Sequence, residues 1–129
     1  MVKVSYRSYW LHKSGNRATD YEDAFWPHWR QKTLEGYNLC FAVADGATES
    51  SFARLWARML TQSYCSFAHE NFALETVDFS QKIQKLGKRW SKRVFSNTLE
   101  WFVLEKIQRG SHATLLGIKF TSIGHKLTQ

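Results

Sequence analysis

The chain has 129 residues, 43% of them hydrophobic and 16% aromatic, with six tryptophans. That is the length of one domain with ample material for a core, and it excludes a disordered or low-complexity protein. Formal net charge is +7, and it is unevenly spread. Residues 81–110 carry eight lysines and arginines against Glu100 and Glu105, whereas residues 45–80 carry five acids against Arg54 and Arg58. A cationic segment of this kind reads as the solvated side of an amphipathic helix, with a nucleic-acid or acidic-protein face as the alternative.

The opening MVKVSYRSYWLHK alternates loosely, with Val2, Val4 and Tyr6 on one parity, and predicts an edge-like strand. It has no continuous apolar run, so it does not read as a signal peptide, and no other stretch is long enough to span a membrane. A cytoplasmic protein without membrane attachment is the expectation. KSGNRATD is a polar loop, and AFWPHW predicts a short second strand, limited by Pro27. The polar RQKTLEG reads as a connection to the next strand, LCFAVA, which is apolar on both parities and is expected to be buried on both faces.

Helix is predicted from Ser50 or Ser51, with Phe52, Leu55, Trp56, Met59, Leu60, Ser63 and Phe67 at helical spacing. A second helix places Ile83, Leu86, Trp90 and Val94 on one stripe. A third is expected to start near Asn97 or Thr98, to carry Leu99, Phe102, Val103 and Ile107, and to stop at Gly110. ATLLGIKF is a last strand, so the order is strands, helices, strand, an α+β fold. Cys40 and Cys65 lack CxxC spacing and read as buried free thiols, and the five histidines show no spacing for a zinc site.

Candidate chemistry sits at two places. Glu22 and Asp23 form an acidic pair before AFW, and Asp45 ends the apolar strand where Gly46 frees the backbone to turn. A carboxylate at the end of a buried strand needs a partner or a cation. If the two strands are neighbours, Glu22, Asp23, Asp45 and the Gly46 carbonyl can converge on a hard divalent ion. The other possibility is that Asp45 or Ser50 caps the following helix and the acidic pair belongs to a loop.

Taken in order, NRATDYEDAF, FAVADGATES and GSHATLLGIKF resemble the first signatures of the metal-dependent PPM-type (type 2C) protein phosphatases, in the flavour of the bacterial branch. The resemblance covers about residues 13–120. It implies a fold of two antiparallel β-sheets flanked by helices, an αββα sandwich, of which this chain would be the N-terminal half, a single truncated domain over 1–129. It implies two Mn²⁺ or Mg²⁺ ions bridged by Asp45, with Gly46 offering its carbonyl, Glu22 reaching the same ion and Asp23 holding metal-bound water. Arg17 would bind the phosphate, and Thr114 would lie in the supporting strand. The implied activity is hydrolysis of phosphoserine or phosphothreonine in a phosphoprotein by a metal-activated water.

Three departures are visible. Arg17 stands five positions before Glu22 where the family has four, Ala47 replaces a histidine found in eukaryotic members, and no aspartate follows Asp78. The second metal site is therefore expected to be incomplete. That leaves a catalytically inactive relative as one alternative to an enzyme, and a basic-helix module binding nucleic acid or an acidic protein as another. A partial sandwich is further expected to associate through an exposed sheet edge.

Overall fold

A computed structural model describes residues 1–12, 14–15, 17, 21–48, 50, 52–69, 76–96 and 100–122. The elements in chain order are β1 (Val2–Arg7), β2 (Ala24–Trp26), β3 (Gln31–Gly36), β4 (Asn38–Gly46), α1 (Ala53–His69), α2 (Thr76–Phe95), α3 (Trp101–Gln108) and β5 (Ala113–Thr121). The architecture is α+β, with two antiparallel sheets and three helices. One sheet pairs β1 with β3, and the other has the order β2–β4–β5.

Strand β3 is the element that hydrophobic periodicity does not announce, because RQKTLEG contains one large apolar residue. Its stability comes from β1. The register runs from Val2↔Gly36 to Arg7↔Gln31, and a ladder of polar cross-strand pairs covers the exposed face. Lys3 Nζ lies 2.8 Å from Glu35 Oε1, the Ser5 and Thr33 hydroxyls are 2.8 Å apart, and Arg7 Nε donates to Gln31 Oε1 at 2.9 Å. Such pairs each contribute a few tenths of a kcal/mol to about 1 kcal/mol, which suits a surface hairpin partner better than a core strand.

Strand β4 is central in hydrogen bonding, as expected, but its two faces differ. Cys40, Ala42 and Ala44 are buried under α1. On the other face Leu39 is buried and Tyr6 of β1 meets Phe41 edge-on at 5.1 Å between ring centroids. Farther along the same face Val43 is 52% exposed. The expectation of burial on both faces is thus corrected at the C-terminal end of the strand. The two-stranded sheet covers one end, and the other stays open together with Leu116 and Ile118 of β5.

Helix α1 lies close to the three-stranded sheet because the contact is made by small residues. Ala24, Ala44 and Ala57 form one cluster, and Gly117 of β5 sits under the ring of Tyr64. The inward face is Ala53, Ala57, Leu60, Thr61, Tyr64, Cys65 and Ala68, a stripe shifted from the predicted one; Phe52 falls before the helix and is exposed. Buried Thr61 satisfies its hydroxyl by donating to the Arg58 carbonyl at 3.1 Å. Met59 and Leu60 meet Leu86, Trp90 and Val94 of α2 and Ile107 of α3 in the second part of the core, as the helical stripes predict. The lysines and arginines of α2 from Lys85 onward face solvent.

Helix α3 starts at Trp101, and Asn97, Thr98 and Leu99 lie outside the described residues. It stops just before Gly110, whose φ of +79° and N–H bond to the Ile107 carbonyl are those of a C-terminal glycine. Both cysteines are free and buried. A hydrogen bond from Cys65 to Cys40 across the α1–β4 contact, together with burial, pushes the Cys65 thiol far up. Among the described residues no helix is long and apolar enough to cross a membrane.

Candidate metal centre

Three chain segments meet where β4 ends. Ala24 pairs with Ala44 in the β2–β4 register, so one step further Asp23 comes alongside Asp45. On the other side Asp45 pairs with Thr114 and Gly46 with Ala113 of β5, and the Ala47 N–H extends this ladder to the His112 carbonyl at 2.9 Å.

Gly46 is needed for space rather than for a turn. It lies within β4 and is not among the glycines of positive φ. A Cβ there would stand 2.7 Å from the Glu22 carbonyl oxygen and 3.1 Å from the Ala53 Cβ. The lead into β2 and the start of α1 therefore close on the end of β4 from two directions, and any side chain at 46 would hold them apart.

Ser50 does not act as the predicted helix cap. Its Oγ donates to the Ala47 carbonyl at 2.8 Å and accepts from the His112 N–H at 3.2 Å, so it ties the turn after β4 to the start of β5. Ser51 lies outside the described residues. The Phe52 carbonyl accepts from the Trp56 N–H at 3.1 Å and so opens the α1 ladder. Phe52 itself has φ +54°, a conformation that is costly for a bulky residue.

Asp23, Asp45 and Thr114 line one cleft of about 510 Å³ together with Tyr21, Val43 and Leu116. The Tyr21 hydroxyl hydrogen-bonds to Asp23, and its pKa is raised first by burial, then by the charge of Asp23 and by that of Asp45. Both carboxylates thus act on the same phenol, and Tyr21 stays a neutral donor that fixes the Asp23 carboxylate. Among the described residues Glu22 and Arg17 are not part of the cleft wall. Glu22 is half-buried and presents its backbone carbonyl to Gly46, while Arg17 is exposed.

The cleft offers two carboxylates, Asp23 and Asp45, and Mg²⁺ is commonly held by one or two carboxylates with water completing the shell. No group of three or more His, Cys, Asp or Glu side chains able to hold a metal is found among the described residues. Tyr21 is the site residue that sequence reading missed, and its only signal was its position directly before the acidic pair. No protein-family model matches this chain, and comparison with curated proteins and with solved structures found no match.

Proposed function

We propose that this chain is a metal-dependent phosphatase-like protein of the PPM type, directed at phosphoserine or phosphothreonine and built on part of an αββα sandwich. The observation that carries this reading is the meeting of Asp23 and Asp45 in one cleft at the ends of two neighbouring strands. Asp45 and Asp23 would hold the cation. Tyr21 orients the Asp23 carboxylate, and bare Gly46 keeps the two strands close enough for both acids to act together. A bound Mn²⁺ or Mg²⁺ would supply a Lewis acid for the phosphoryl oxygen and an activated water. Hydrolysis of p-nitrophenyl phosphate is expected with Mn²⁺, with none in EDTA and none after Asp45→Ala. Turnover that persists in the Asp45→Ala protein would sink the proposal.

A cleft with two carboxylates favours a second reading, an inactive relative that binds Mn²⁺ and does not turn over. The same assay, run beside a binding titration, separates the two. We infer further that the open sheet face at Val43, Leu116 and Ile118 and the β5 edge support association with another polypeptide. Size-exclusion chromatography is expected to show an elution volume that depends on concentration, and an unchanging monomer would contradict this.

A further inference from the structure

Beside the carboxylate cleft lies a second cavity of about 340 Å³ with the opposite charge. Arg30, from the turn into β3, and Arg54 and Arg58, one helical turn apart on α1, bring three guanidinium groups to its wall. Among the described residues Asp23 is the one acid on that wall, against three arginines. We propose that this cavity binds a phosphomonoester dianion, held by Arg30, Arg54 and Arg58.

The chemistry of the wall supports this ligand over a carboxylate or a halide. Guanidinium groups present paired N–H donors that match the oxygens of phosphate, and three of them can serve the three terminal oxygens of a monoester. Arg30 stacks its charge on the Trp10 ring at 4.5 Å. That contact fixes the guanidinium without using its N–H donors. Trp10 is itself stacked on Phe25 at 5.6 Å between centroids, a rigid apolar wall for the group that carries the phosphate. His28 is held by a 3.0 Å hydrogen bond to Gln62, the next residue on the α1 face that carries Arg54 and Arg58.

The place of the cavity gives it a use. Tyr21, Asp23, Ala24 and Phe25 line both this cavity and the cleft of Asp45. A phosphoryl group held by the arginines would therefore lie next to the carboxylates proposed to hold the cation. The role as a substrate subsite rests on the phosphatase reading, and the charge complementarity stands without it. Arg17, which resemblance to the family would assign to the phosphate, is not part of either wall among the described residues.

The test is a titration in EDTA, so that no divalent cation contributes. Inorganic phosphate and phenyl phosphate are titrated into the full chain by isothermal calorimetry, with chloride at equal ionic strength as the control. Saturable binding of both is expected, with at least about a tenfold loss in the Arg54→Ala/Arg58→Ala protein, as removal of two charge-assisted donors implies. Arg89→Ala/Arg93→Ala on the solvent face of α2 is expected to bind as the parent does, which controls for loss of net charge alone. Far-UV circular dichroism checks that the exposed α1 replacements leave the fold intact. Absence of phosphate binding to the parent, or equal losses in the α1 and α2 proteins, overturns the proposal. Binding without Mn²⁺-dependent hydrolysis leaves the anion cavity standing and removes the phosphatase reading. Hydrolysis with an unchanged KM in the α1 variant does the reverse.

Discussion

Gly117→Val should abolish cooperative folding, because the position has no room for any side chain. A Cβ at 117 would overlap three atoms of the Tyr64 ring. Tyr64 is buried between β5 and the core of α1, so the ring cannot swing into solvent without leaving a hole. Even Gly117→Ala is expected to cost about 3 kcal/mol, at the upper end for overpacking a closed site. Valine adds two methyl groups to that overlap in a domain whose total stability is of order 5–15 kcal/mol. Urea titration followed by tryptophan fluorescence reads both. Removing the ring should partly compensate: Tyr64→Ala alone opens a cavity worth about 3–5 kcal/mol. Combined with Gly117→Ala it should fall short of the sum by 1 kcal/mol or more, by the rule that touching residues couple. Strict additivity would mean the ring and the strand do not meet.

The second large effect is at Gly46, and here stability and site move together. Alanine would press against the Glu22 carbonyl at 2.7 Å and the Ala53 Cβ at 3.1 Å, both backbone-anchored neighbours. A loss of about 1–3 kcal/mol is expected for Gly46→Ala, along with a widened gap between Asp23 and Asp45 and weakened binding of any cation they share. Gly87 provides the contrast. It lies within α2, and a Cβ there meets nothing within 4 Å. Gly87→Ala is therefore expected to stabilise by roughly 0.5–1 kcal/mol through helix propensity alone. Two glycine-to-alanine changes of opposite sign in one urea series would show that Gly46 is kept for the close approach of three segments.

The helices were legible because their signals are periodic. Leu86, Trp90 and Val94 repeat at helical spacing and are buried together, and Gly110 closes α3 as a terminal glycine. What the sequence hid was relational. Strand β3 carries no apolar alternation and exists through its polar ladder with β1. The two-sided apolarity of β4 predicts burial on both faces, yet Val43 is exposed because the β1–β3 sheet covers the other end.

At the site, Asp23 and Asp45 were legible as strand-end acids, and the β2–β4 register brings them together. The roles of Gly46, Ser50 and Tyr21 were not. A glycine that turns and a glycine that yields space look alike in sequence, and Ser50 is bonded to His112, sixty-two positions away. The arginine cavity was also invisible: Arg54 and Arg58 have helical spacing, but nothing in the chain announces that Arg30 faces them.

Whether Asp45 and Asp23 act as one cation site is tested most directly by calorimetric titration of Mn²⁺ into the metal-free chain. One ion per chain is expected for the parent, with Mg²⁺ competing and with binding lost in both Asp45→Asn and Asp23→Asn, replacements that preserve shape and remove charge. No Mn²⁺ binding by the parent, or undiminished binding by Asp45→Asn, would contradict it.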